Sequence, residues 1–162
     1  TVGKTLSQHF SVYLIDQRNH GQSPHHETFS YEAMSNDLLE FITQLHLKNP
    51  IVMGHSMGGK TAMEFAISHP DKLAKAIVID ITPMEYPITQ TEIIEALQSI
   101  DFNQLKSRKA AEELLFKQIP DKGLIQFLLK NLYWKEPNQL DWRFNLDAIR
   151  KNIAEVGKPD KN

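Results

Sequence analysis

An α/β architecture, with a parallel sheet covered by helices on both sides, is what this 162-residue sequence predicts. Three short runs rich in β-branched and apolar residues, Ser11–Asp16, Ile51–Met53 and Ala76–Asp80, supply the candidate strands. The segments between them carry helical period, and strands that alternate with helices build parallel sheets buried on both faces. Past Asp80 the character changes. Pro83 and Pro87 interrupt the chain, and from Gln90 to Ile153 the pattern predicts helices without a convincing strand. The sequence thus divides into a core at 1–82, a helical region at 83–156 and a loosely composed tail at 157–162.

Taken in order, Val2-Gly3-Lys4-Thr5-Leu6 reads as a helix-like opening, and a chain that starts at Thr1 without methionine predicts a processed or truncated start. The first strand, Ser11–Asp16, precedes a helix expected from about Tyr31 to His46, where Leu38, Leu39, Phe41, Ile42 and Leu45 fall on one side. Asn49-Pro50 ends it. A second helix should follow the strand Ile51–Met53, running from Met57 to about Ser68 and stopped by His69-Pro70. Further helices are expected over 91–99, 110–118, 122–133 and 146–156, with loops around Pro120 and over 135–138.

The chemistry concentrates at Gly54-His55-Ser56-Met57-Gly58, between the run Ile51-Val52-Met53 and the helical stretch 60–66. A serine flanked at two residues' distance by glycines, on a turn from strand to helix, is a nucleophile elbow. The turn is so tight that its own backbone is strained, and side chains at 54 and 58 should collide. Ser56 is then the candidate nucleophile. The backbone N–H of Met57, at the start of the helix, is a candidate oxyanion donor. The competing reading is a helix-capping serine, since serine is a favoured N-cap residue.

Composition narrows the rest. With 18 basic and 20 acidic residues, a net charge of −2 leaves no electrostatic footprint for nucleic acid or an anionic membrane. No run approaches the roughly 18 apolar residues of a membrane span, and the first residues lack an apolar signal core. Without cysteine there is no disulfide, thiol nucleophile or thiolate metal site. A cytoplasmic protein acting on a small molecule is the expectation.

Together with the elbow, Asp16-Gln17-Arg18-Asn19-His20-Gly21-Gln22-Ser23 resembles the D-x-R-x-H-G-x-S turn of the α/β-hydrolase superfamily. Ile79-Asp80-Ile81-Thr82-Pro83, the stretch 123–130 and Trp142-Arg143-Phe144-Asn145 narrow the resemblance to the YbfF-type bacterial esterases. This resemblance implies a partial α/β-hydrolase fold, a parallel sheet with flanking helices and a helical cap. It implies a serine hydrolase of carboxylic esters or acyl-CoA thioesters; apart from it, no cofactor and no metal are expected. Ser56 would be the nucleophile, the Met57 N–H an oxyanion donor and Asp80 the acid. The family's order places a histidine after the acid, yet His9, His20, His25, His26, His46, His55 and His69 all precede Asp80. The resemblance also puts strands on both sides of this sequence that the sequence lacks, one of them between the first two strands assigned here. The chain reads as an internal fragment, inactive by itself.

Bland readings stand beside these. Asp80 is either the acid or a strand-ending turn residue. His55 adjoins Ser56 but should point to the other side and pack beside the strand. Arg18 and His20 read as hydrogen-bonded loop ties. His25, His26 and Glu27 sit in a turn without further ligands at metal spacing. Phe127, Leu128, Trp134, Trp142 and Phe144 read as packing of the helical region, with a share in an acyl pocket as the sharper alternative. Lys106, Arg108 and Lys109 read as a solvated face, with a CoA phosphate as the other option. Other chemistries hosted by the same elbow, C–C hydrolysis or perhydrolysis, remain open, as does a non-catalytic remnant or binding module.

Overall fold

A computed structural model describes residues 2–84, 91–105 and 107–157, the side chains of 155–157 excepted. Thr1, the segment with Pro87 and Gln90, Lys106 and the tail from 158 lie outside the described residues.

Helix α1, Val2–Leu6, opens the chain. Helix α2, Tyr31–Gln44, starts where the Ser30 hydroxyl accepts the N–H of Ala33 at 3.2 Å. It stops two residues short of the expected His46, because His46 itself turns left-handed (φ 50°). The N–H groups of His46 and Leu47 then close back on the carbonyls of Thr43 and Ile42, a Schellman ending that periodicity does not reveal. Strand β1, Ile51–His55, runs two residues past the expected Met53 and leads into helix α3, Met57–Ser68, whose bounds are the predicted ones. After a 3-10 turn at Pro70–Lys72 comes β2, Lys75–Ile79, which pairs with β1 in parallel, Met53 opposite Ile77 and His55 opposite Ile79.

The expected strand at Ser11–Asp16 does not form. It pairs with no strand among the described residues, and an apolar run becomes a strand only where a ladder accepts it. Its Tyr13 ring meets Phe41 of α2 edge-on at 5.6 Å, while Leu14 is 81% exposed.

The second half corrects the expectation of helices alone. Helices α4, Thr91–Gln98, and α5, Arg108–Phe116, are followed by α6, Lys122–Leu129, which ends four residues before the expected Tyr133. From there β3, Leu132–Glu136, and β4, Gln139–Trp142, form an antiparallel hairpin with an irregularity between Trp134 and Glu136. Asn138, left-handed at φ 65°, turns the chain within the predicted loop. The helix ends where it does for a tertiary reason: Arg108 donates to the carbonyl of Leu129 at 3.1 Å and also to that of Leu132. Arg108 and Lys109 are both exposed, as a solvated face requires, but the Arg108 guanidinium is also used as a clamp on these two carbonyls. Helix α7, Leu146–Gly157, closes the described chain.

Hydrophobic burial follows this division. The main cluster, with Leu115, Ile125, Leu132, Leu140 and Trp142, lies wholly between Ala96 and Phe144. Trp142 stacks on Phe144 at 5.2 Å and meets Phe102 edge-on, so both residues are packing as expected. Phe127 and Trp134 are exposed instead. Phe29, Met34, Ile42, Ala62 and Phe65 are buried in the first half. Among the described residues, no helix is long and apolar enough to cross a membrane.

One face of the small sheet is bare. Side chains alternate along a strand, so Ile51, Met53, Ile77 and Ile79 share the face opposite α3, and all four are exposed. Such a patch is adhesive. The purified chain is expected to self-associate at micromolar concentration, and Met53→Lys with Ile77→Lys to return it to a monomer while changing stability by no more than about 0.5 kcal/mol. Sedimentation and urea unfolding check this; a wild type that stays monomeric would sink it.

Candidate active site

The turn between β1 and α3 is built around one strained residue. Ser56 sits at φ 51°, ψ −118°, a combination sparsely populated by side-chain-bearing residues. Three hydrogen bonds hold it: its N–H donates to the Ile79 carbonyl at 3.0 Å, and its carbonyl accepts from Gly59 at 2.8 Å and Lys60 at 3.1 Å. The Ser56 side chain makes no cap bond to α3, so the ordinary structural use of a serine at this place is not taken up. Met57 begins α3, and a first-turn N–H has no carbonyl within its own helix to bond.

The glycines do different work from that expected. A Cβ on Gly54 would lie 1.9 Å from the Gly58 carbonyl oxygen, so the turn closes only because residue 54 lacks one. Gly58 itself faces open space apart from the Gln17 amide at 3.6 Å, and the predicted collision of its own side chain is absent. The second tight position is Gly59, where a Cβ would meet Ile81 at 2.6 Å and Val78 at 3.2 Å. That glycine lets α3 lie down on β2.

Asp80 follows β2 as Ser56 follows β1, and it too is left-handed, at φ 57°. Two adjacent parallel strands thus end in two positive-φ residues side by side. The Asp80 carboxylate lies 3.5 Å from Nε2 of His55, with the side chains 83% and 66% exposed. His55 is therefore not packed beside the strand as expected; it stands on the bare face with Met53 and meets Asp80. At that distance and exposure the contact orients two side chains and contributes little stability.

The motif loop 16–23 is tied internally. Gly21, at φ 57°, passes so close to the Asp16 carboxylate that a Cβ would lie 2.1 Å from it, and Asp16 accepts the N–H of Gln22 at 3.0 Å and, at its carbonyl, the Ser23 hydroxyl at 2.6 Å. Arg18 grips Asp37 of α2 with two bonds of 2.6 Å, and this hydrogen bonding raises the guanidinium's pKa further. His20 bonds the Arg18 carbonyl through Nδ1 at 3.1 Å. Both are loop ties, as the bland reading held. His25 and His26 are used in the same way, His25 against the Arg143 carbonyl and His26 through the N–H of Thr28.

Sequence reasoning gave no role to Gln17 and Asn19, which fill the variable places of the motif. Gln17 donates to the Thr61 hydroxyl of α3 at 3.0 Å, beside the elbow. Asn19 is fully buried. Their only signal was position between motif residues.

Burial holds His20 below its usual 6.5, against the opposing pull of the Arg18 carbonyl and then of Asp16. The folded chain therefore resists a proton that the unfolded chain accepts, so stability from this group is present above about pH 6.5 and falls as pH drops below it. Melting temperatures at pH 7.5 and 5.5 are expected to differ less in His20→Gln than in the wild type; an equal difference would remove His20 from the account.

A strand, a strained serine and a helix in this geometry agree with a wider comparison: the family described as the alpha/beta hydrolase fold matches residues 1–111. The chain belongs to the α/β-hydrolase fold family. A solved marine microorganism esterase superposes on 99% of it, at a TM-score of 0.94 and 46% identity. A putative esterase/lipase of Haemophilus influenzae is 36% identical over 157 residues, 96% of this chain. Esterase YbfF of Escherichia coli is 30% identical over 149 residues, so the narrower resemblance holds as well. The chain spans 54% of the Haemophilus protein, 57% of YbfF and 64% of the marine esterase.

Proposed function

We propose that this chain is the nucleophile-bearing part of a serine ester hydrolase. The observation that carries the reading is Ser56 itself, held in a sparsely populated backbone state with its hydroxyl unused for capping. In the proposed reaction the Ser56 oxygen attacks the ester carbonyl, and the oxyanion is met by the Met57 N–H. The serine proton passes to a histidine and then to the departing alkoxide as the C–O bond breaks. Water attacks the acyl-serine, giving its proton to the same histidine, and the Ser56 hydroxyl re-forms as acid is released. Asp80 orients that histidine. The histidine is contributed by sequence beyond these 162 residues.

Residues 1–82 form the catalytic layer in this reading, and 83–156 the cap that shapes the acyl site. Thioesters such as acyl-CoA are a narrower substrate class within it, since the same attack expels a thiolate. A non-catalytic module is the second reading, and its support is specific: the histidine in contact with Asp80 is His55, which adjoins the nucleophile.

The test is a chimera in which this chain replaces its matching segment in the marine esterase. A fluorophosphonate probe should label the chimera at Ser56 and leave Ser56→Ala unlabelled. Labelling that ignores this substitution would overturn the assignment.

A further inference from the structure

The two halves of the molecule have separate hydrophobic interiors, and hydrogen bonds join them through the motif loop. The centre of that junction is Asn19. It is fully buried and left-handed at φ 65°, a conformation asparagine tolerates better than most residues. Its carbonyl accepts the Asn145 N–H at 2.8 Å, and its Oδ1 accepts both the His26 N–H at 2.7 Å and the Asn145 amide at 3.2 Å. Asn145 in turn receives the Ala148 N–H on its own Oδ1 at 3.2 Å, which is an N-cap of α7. One step back along the chain from Asn19, Arg18 is forked onto Asp37 of α2, and two steps back Gln17 is bonded to Thr61 of α3. Weaker stitches flank this junction: His25 to the Arg143 carbonyl at 3.3 Å, and the Asn152 amide to the Glu27 carbonyl at 2.9 Å.

We propose that Asn19 is a positioning residue that sets the helix α7 end of the cap against the elbow layer, and thereby sets the shape of the acyl site over Ser56. The specificity clause rests on the hydrolase reading; the positioning does not. The physical case is that a buried acceptor shared by a loop amide and a cap side chain costs free energy to leave unpaired, so the junction has one favourable arrangement. Neither half can tilt without breaking it.

Hydrogen exchange on this full chain decides the positioning. Asn19→Leu is expected to raise amide exchange in α7 about tenfold or more while leaving α3 unchanged. Asn145→Ala, which acts from the cap side, should reproduce the α7 effect should Asn19→Leu fail to fold. Equal acceleration in α3 and α7, or an unchanged α7, would reduce Asn19 to a general stabilising residue and overturn the proposal. In the marine-esterase chimera, Asn19→Leu should raise KM for long-chain esters about tenfold with kcat held within about twofold. A matching fall in kcat would overturn the specificity clause. A chimera with no Ser56-dependent turnover would sink the hydrolase reading and leave the exchange result standing.

Discussion

Gly54→Ala is expected to cost about 4 kcal/mol or more of folding stability, and Gly58→Ala to leave it unchanged or raise it by about 0.5 kcal/mol. The two glycines are equivalent in the motif and opposite in the structure. A methyl at 54 would sit 1.9 Å from a backbone oxygen that cannot move without opening the turn, so Ser56 would lose its place or the first half would unfold. A methyl at 58 meets only the end of the Gln17 side chain at 3.6 Å, and within a helix alanine is preferred to glycine. Against a typical total of about 5–15 kcal/mol, the first loss is a large fraction of what holds a domain together. Urea unfolding of both variants checks the pair. Similar losses for the two would mean that the tight contact lies elsewhere in the turn.

The second large effect is catalytic. In the marine-esterase chimera, Ser56→Ala is expected to lower kcat by about 10⁴-fold or more, and Asp80→Asn by about 10⁴-fold, since in the proposed reaction the first would remove the nucleophile and the second would misorient its base. The 162-residue chain alone is expected to hydrolyse p-nitrophenyl esters no faster than its Ser56→Ala variant. Without a base the hydroxyl is left unactivated, and general acid–base help is worth roughly 10²- to 10⁴-fold. Measurable Ser56-dependent turnover by the chain alone would refute this, and the histidine to examine first would be His55, whose ring meets Asp80.

How much of this was legible in the residues depends on the range over which each feature is decided. The strand, turn and helix around Ser56 were, because they lie within about twenty residues and their geometry is local. Helix α3 was legible to the residue, its start set by the turn and its end by His69-Pro70. Asp80 was placed at a strand end, and the register of β1 with β2 brings that end beside Ser56. The hairpin was not legible, since Leu132-Tyr133-Trp134 continues the apolar pattern of α6 and the partners that take over after Leu129, Arg108 on the carbonyls and β4 beside β3, are distant in sequence or lie beyond the turn. Ser11–Asp16 misled for the opposite reason: it has the composition of a strand, but pairing is a property of two segments, not one. Asn19 stayed hidden because a variable place between motif residues gives no hint of a bond to residue 145.

The enclosed hydrophobic cluster between Ala96 and Phe144 has a consequence for how such a molecule can diversify. Because that half fills its own interior, its surface can drift residue by residue without disturbing the backbone that strains Ser56. On the proposed function, chemistry and taste would be inherited on separate stretches of one polypeptide. A lineage can keep the reaction while changing its diet, so long as the stitch at Asn19 and Asn145 survives each exchange.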